Sequence, residues 1–218
     1  MKVTEAVLSR KSVRAFRPDP VPGEMVRDIL ETARWAPSGG NLQPWRVYAL
    51  AGQPLADFKA EVAAGGAEEP EYDVYPPELW EPFRTRRFVC GEDLYASIGI
   101  PREDRAGRLR QLARNIDFFG APVGLFFCLD RGLGPPQWSD LGMFMQTVML
   151  LAQERGLATC AQEFWARYPT IIARFLGLSE ELQVFSGMAL GFEDVSAAIN
   201  GWRTRRDAFE VWAEMRGF

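Results

Sequence analysis

Residues 137–169 read QWSDLGMFMQTVMLLAQERGLATCAQEFWARYP. The middle of this stretch, 141–153, carries Met143, Phe144, Met145, Val148, Met149, Leu150 and Leu151 and is apolar on nearly every side. A helix of that kind belongs in a core. Its methionines read as fillers of irregular gaps rather than as a ligand box. A short apolar run at 158–162 follows, then a second helix over 168–176 that Gly177 ends as its C-cap. On the C-terminal side, 182–190 reads as a strand. On the N-terminal side lies APVGLFFCL, residues 121–129, the longest apolar stretch in the chain. It is too short to span a bilayer, and 123–129 reads as another strand.

Further out, 3–8 reads as a short helix. Pro22 opens a second one, with Met25, Val26, Ile29, Leu30 and Ala33 forming an apolar stripe, and Pro37 ends it. A strand is expected at 47–50 and a helix at 56–62. Residues 65–82, GGAEEPEYDVYPPELWEP, change character: Pro, Gly and Glu dominate, with Tyr72, Tyr75 and Trp80 interleaved. This reads as a surface loop or lid. Helices follow near 82–96 and over 102–118. The tail, 200–218, is basic and then aromatic (Phe209, Trp212, Phe218), too short to bury those rings alone and suited to packing on a partner chain. The class is mixed α and β, and periodicity leaves parallel and antiparallel pairing open.

Composition narrows the chemistry. A chain of 218 residues suits one domain, or one with an elaborated insertion. The net charge of −4 gives no pull toward nucleic acid or an anionic membrane. There is no histidine, which excludes Ser-His-Asp and Cys-His catalysis and HExxH zinc sites. Cys90, Cys128 and Cys160 have no CxxC spacing. They suggest neither a disulfide framework nor a zinc knuckle. With no apolar leader at the start of the sequence, they suggest a reducing cytoplasm. GxGxxG, GxxxxGK and GxSxG are absent. An enzyme built this way would take its reactive group from a cofactor.

Four constellations could serve one. Arg10, Lys11, Ser12 and Arg14 suit a phosphate, with guanidinium forks and a hydroxyl between them; a solvated turn is the plainer explanation of the same residues. In PSGGNLQPW, residues 37–45, Gly39 and Gly40 permit positive φ and close backbone approach. Asn41 and Gln43 each offer a donor and an acceptor, which a flat heterocycle could use. An Asx-type turn accounts for the first four of these residues but not for Gln43. TCAQEFW, residues 159–165, sets Gln162 and Glu163 at a strand end. Arg203–Arg206 offers a second cationic group, or simply a solvated tail.

Their order along the chain resembles the FMN-dependent nitroreductase family: RKSVRAF, then APSGGNLQPW, then GLATCAQEFW, then MALG, then a tail ending in GF. Residues 115–125 and 137–169 look most like its nitrobenzoate reductase-like branch. The resemblance implies an α+β fold over 1–218 with a central, mostly antiparallel sheet surrounded by helices. It implies an intertwined homodimer with an exchanged C-terminal arm (200–218) and a helical lid insertion (65–120). It implies FMN at the subunit interface, NAD(P)H as electron donor and a small aromatic acceptor, with no nucleic-acid or membrane partner.

By motif, Arg10, Lys11, Ser12 and Arg14 match the family's first FMN segment: Arg10 and Ser12 would hold the phosphate end of FMN, Arg14 would lie toward the pyrimidine edge, and Arg203 and Arg206 would close around the phosphate. Asn41 and Gln43 would contact the ring, and Pro37, Ser38 and Gly39 would face the neighbouring subunit's FMN. Gln162 and Glu163 would run along the other ring edge. Tyr72, Tyr75, Trp80, Phe118 and Phe119 would roof the acceptor, although packing the lid onto the core explains them as well. Flavin supplies the chemistry, so no side chain is expected to be catalytic. The implied activity is ping-pong reduction of nitroaromatics, quinones or similar flat electrophiles. Other readings are a dehalogenase, an enone reductase or a flavin-consuming oxidase of the same fold, a non-catalytic flavin-binding protein, or a cofactor-free interaction domain.

Overall fold

The structure, a computed structural model, describes all 218 residues. Four strands, β1 (Arg46–Ala51), β2 (Val123–Asp130), β3 (Ala158–Gln162) and β4 (Leu182–Gly191), form one sheet in the order β1-β2-β4-β3. All three pairings are antiparallel. Nine helices surround it: α1 (Val3–Ser9), α2 (Gly23–Ala33), α3 (Gly52–Gly65), α4 (Phe83–Ser97), α5 (Arg105–Ala113), α6 (Pro135–Glu154), α7 (Pro169–Leu176), α8 (Ala198–Gly201) and α9 (Phe209–Trp212).

The unbroken apolar run of β2 is explained by burial on both faces. Every residue of β2 except Asp130 is buried. Successive side chains point to opposite faces. Phe126 and Cys128 join one cluster with Phe58 and Val62 of α3, Ile171 and Ile172 of α7, and Trp165. Val123, Leu125, Phe127 and Leu129 join the other, with Val26, Ile29 and Ala33 of α2 and Leu141, Phe144 and Val148 of α6. The helix α6 starts at Pro135, before its apolar stretch begins. Proline is tolerated in a first turn, and Gly134 N donates to Gln137 Oε1 at 3.3 Å. At the end of α7, Gly177 takes φ 64°, the left-handed C-cap expected of it.

The expected helix at 102–118 is shorter. It starts where Asp104 caps it, accepting from Gly107 N at 2.8 Å, and stops at Ala113. Phe118 and Phe119 instead adopt φ of 49° and 57°. A left-handed bulky residue costs about 1–2 kcal/mol. The aromatic cluster offsets this: the Phe118 ring stacks on Trp165 at 4.8 Å and meets Phe126 edge-on at 5.7 Å. β2 makes room with Gly124, where an added Cβ would lie 2.7 Å from the Phe118 ring.

The helix α4 is different in kind. None of its 15 residues is buried. Ion pairs hold it: Arg86 to Asp207 and Arg205 to Asp93 (3.1 Å) tie it to the tail. Glu92 takes a two-pronged contact from Arg108 of α5 at 2.6 and 3.0 Å. The strap leading to α4 is pinned at its start. Glu68 Oε2 accepts from Thr170 N at 2.8 Å, capping α7, and Glu71 N donates to Ala166 O at 2.7 Å.

Candidate functional site

The first and fourth constellations, almost 200 residues apart in sequence, meet in one shallow cleft lined by Arg10, Lys11, Ser12, Arg14, Trp202, Arg203, Thr204 and Arg206, with no carboxylate among them. The meeting is built by Asn200, which is buried. Its Oδ1 accepts from Arg14 N at 2.9 Å, and its Nδ2 donates to Ala15 O and Asp194 O at 2.8 and 2.9 Å. Arg203 then donates to Arg10 O at 3.2 Å. Sequence reasoning missed Asn200; no motif marks it. Burial, and then Arg206 and Arg203, lower the Arg10 pKa below the usual arginine value. Such crowded cations favour an anion. Lys11 departs from expectation: its ammonium pairs with Glu193 at 2.7 Å and donates to Asn200 O, so its charge is already met.

The loop after α2 is set by backbone strain. Gly40, Asn41 and Gln43 take φ of 56°, 57° and 49°. Left-handed non-glycine residues cost about 1–3 kcal/mol each and gather at functional sites. Local bonds hold the shape: Gln43 N donates to Ser38 Oγ at 3.0 Å and Gly39 N to Asp140 Oδ2 at 3.2 Å. Asp140, a buried carboxylate on α6, was also missed. Its signal was present, as an acid at the head of an apolar helix. The Asn41 and Gln43 side chains stay exposed, and Gln43 Nε2 makes a long 3.3 Å contact to Asn41 O. Pro37–Gln43 do not line the cationic cleft in this chain.

At the end of β3 the structure corrects the role given to Gln162. Its amide points inward and is engaged: Nε2 donates to Asn115 O and Oδ1 at 2.9 and 3.1 Å, and Oε1 accepts from Trp165 Nε1 at 3.3 Å. It braces the strand end, and with both N–H donors used and the side chain 2% exposed it is turned away from a ring edge. Glu163, the next residue, is exposed along the chain, yet desolvation of its carboxyl raises its pKa.

The roofing residues separate into two groups. Phe118 and Phe119 are 0% and 2% exposed inside the aromatic cluster. They cannot cover an acceptor, because β2, α3 and Trp165 enclose them. Tyr72 is drawn to the core: its ring stacks on Phe185 and its hydroxyl donates to Phe185 O. Burial, then Glu163 and Glu71, raises its pKa. Tyr75 and Trp80 remain on the outer half of the strap, exposed. The buried cysteines are inert: burial raises Cys160 and lifts Cys128 to about 12. No helix is long and apolar enough to cross a membrane.

This arrangement has known counterparts. Residues 7–192 match the Nitroreductase family. The chain is 39% identical over 215 residues to a 4-nitrobenzoate reductase of Pseudomonas putida, covering 97% of this chain and 94% of that one. It is 39% identical over 203 residues to a nitrobenzene nitroreductase of Ectopseudomonas oleovorans, covering 91% and 89%. In structure it superposes with a TM-score of 0.97 and 45% identity on the FMN and NADPH-dependent nitroreductase NfnB of Sphigopyxis sp. strain HMH, each chain covered in full. The chain belongs to the nitroreductase family.

Proposed function

We propose that this protein is an FMN-dependent oxidoreductase that takes electrons from NAD(P)H and passes them, in alternating half-reactions, to nitroaromatics, quinones or similar flat electrophiles. The observation that carries the reading is the carboxylate-free cluster of Arg10, Ser12, Arg203 and Arg206 in a chain of this family. The donor set fits the flavin phosphate: guanidinium forks and a hydroxyl match its oxygens, and an anion there relieves the repulsion felt by Arg10. FMN, when bound, supplies the two-electron chemistry.

The chain's own residues bind and orient. Arg14 places a cation where reduction would put negative charge. The exposed amides of Asn41 and Gln43, held ready by a strained loop, would read ring donors and acceptors without paying an ordering entropy on binding. Pro37, Ser38 and Gly39 would face the neighbouring subunit's cofactor. Gln162 fixes the end of β3 so that the backbone near Glu163 is presented in one conformation. Tyr75 and Trp80, exposed on the outer strap, would roof the acceptor.

The reading includes one domain with a lid at 65–120 and an arm at 200–218, a homodimer in the cytoplasm, and arms exchanged between subunits. Two features support the dimer. α4 buries no residue within its own chain, and the arm exposes Trp212 by 68% and Phe218 by 99%. A chain ending at residue 207 should therefore sediment as a monomer while the full chain sediments as a dimer.

Titration of the apoprotein with FMN, followed by anaerobic mixing with NADPH and then a nitroaromatic, tests the whole. The expected outcome is stoichiometric binding, bleaching by the donor and recovery by the acceptor. Arg206→Ala should weaken FMN at least about tenfold, the scale of one charge-assisted contact. A wild-type protein that does not bind FMN sinks the reading.

A further inference from the structure

Reduction of a nitro group needs a proton as well as an electron pair. The chain has no histidine, the side chain that most often handles a proton near neutral pH. Most titratable groups around the cationic cleft and the end of β3 cannot take its place. Arg10, Arg14, Arg203 and Arg206 do not release their protons. Lys11 and Glu193 are paired with each other, Lys59 with Asp117 and Arg131 with Glu71. Asp140 accepts from Gly39 N, and Glu68 caps α7. Burial makes Cys160 and Tyr72 hold their protons more tightly than usual. Glu163 is left.

The edge strand β3 joins Glu163 to the cationic cleft. Ser12, in the cleft wall, pairs with Thr159 on the free side of β3, and Val13 N donates to Thr159 O at 3.0 Å. The N-terminal segment then leaves the strand, with Arg14 N turning to Asn200 Oδ1 and Arg17 N to Phe192 O. No further backbone pairing covers that side of β3, and Ala161 is exposed on it. Four residues, about 13 Å of strand, lead from Thr159 to Glu163. A flavin with its phosphate at Ser12 and its ring along this edge brings its reacting atoms to Glu163. The Glu163 carboxyl has neither a cation nor a hydrogen-bond donor beside it, and burial alone raises its pKa. β4, which packs on the 163–167 turn, carries no titratable residue. The strap brings Tyr72 and, with it, Glu71; the turn itself adds Arg167 and Tyr168; Arg174 of α7 is held by Glu61. A carboxyl so placed keeps its proton nearer to neutral pH than an ordinary glutamate does.

We propose that Glu163 is the acid that protonates the departing oxygen of a nitro acceptor. The inference rests on the flavin-dependent reading above and supplies the proton that reading lacks. The electron pair reaches the nitro group as a hydride drawn from NAD(P)H by way of the bound cofactor. The Glu163 O–H bond breaks as its proton passes to a nitro oxygen, and the N–O bond breaks with it. That oxygen leaves as water, carrying the hydride's hydrogen and the Glu163 proton, and a nitroso compound remains. The carboxylate then takes a proton from solvent along its exposed side. Nitroaromatic, NAD(P)H and one proton thus give nitroso product, NAD(P)+ and water.

The test compares wild type with Glu163→Gln, which keeps the shape of the side chain and removes its acid. In the apoprotein, the infrared difference between the two across a pH titration should show the Glu163 carboxyl titrating above the ordinary glutamate range. Holoenzyme photoreduced without NAD(P)H is then mixed with an acceptor. Reoxidation by nitrobenzene should be about a hundredfold slower in Glu163→Gln. In wild type that rate should be full at low pH and fall as pH rises through the Glu163 pKa, because the protonated form is the active one; in Glu163→Gln this dependence should be gone. Reoxidation by ferricyanide, which takes electrons and no proton, should not distinguish the two proteins. Equal slowing with both acceptors, an unchanged nitrobenzene rate, or a Glu163 carboxyl that titrates in the ordinary range each overturn the inference. If wild-type protein binds no FMN, the flavin-dependent reading fails, while the apoprotein titration still judges Glu163.

Discussion

β2 and α4 show how differently two parts of this chain are stabilised. All but one residue of β2 is buried, between two apolar layers. α4, nearly twice as long, buries none and is tied down by ion pairs to the tail and to α5. The first is complete within one chain: area removed from water stabilises it at about 25 cal/mol per Å². The second has no apolar layer of its own, and exposed ion pairs contribute about 0–1 kcal/mol each. The excursion that carries α4 and the arm that carries Arg203 and Arg206 therefore draw little support from the chain's own apolar core. The sheet is supported by it throughout.

The contrast can be broken at its strong end first. Trp165 is fully buried, 4.8 Å from Phe118, 5.3 Å from Phe58 and 5.5 Å from Phe126. Trp165→Ala should cost about 3–5 kcal/mol by guanidinium denaturation; a loss below about 1 kcal/mol would mean that the aromatic layer is not what holds the sheet. A middle effect is expected at the junction. Asn200→Ala leaves Arg14 N, Ala15 O and Asp194 O without their partner. It should cost about 1–3 kcal/mol and weaken FMN binding as well, because the two halves of the cationic cleft come apart. Unchanged FMN affinity would separate the staple from the cleft. The smallest effect belongs to α4: Arg86→Ala should lose no more than about 1 kcal/mol, and the difference should vanish in high salt. A larger, salt-insensitive loss would show that α4 is as firmly built as the sheet.

What could be read from the residues follows the same division. α6, β2, β4 and the Gly177 cap were legible because each is set by local pattern: an apolar period, an unbroken run, a glycine free to turn left-handed. The 65–82 strap was legible from composition. The sheet's antiparallel pairing came through family resemblance, since periodicity carries no information about strand direction. The cationic cleft was legible as two pieces. Asn200, which joins them, was not, because Arg14 and Ala15, the partners that tie it to the first piece, lie more than 180 residues away. The left-handed Phe118 and Phe119 were unreadable for a similar reason. Nothing local favours that conformation; only the space beside Gly124 and Trp165 does. Gln162 was assigned to a ring edge by family resemblance, and tertiary hydrogen bonds to Asn115 and Trp165 turn it in.

The Asn200 staple also bears on how the protein is made. During synthesis the N-terminal Arg10–Arg14 segment leaves the ribosome long before its partners exist. β4, which completes the centre of the sheet, ends only at Gly191, and the arginines that close the cleft come later still. Nascent chains emerge at about 5–20 residues per second, so nearly the whole translation time passes with the cationic cleft open at one side. On the proposed placement of the flavin phosphate, capture would be an event of the released or nearly released polypeptide, and a message truncated before codon 200 is expected to yield a product that does not retain FMN.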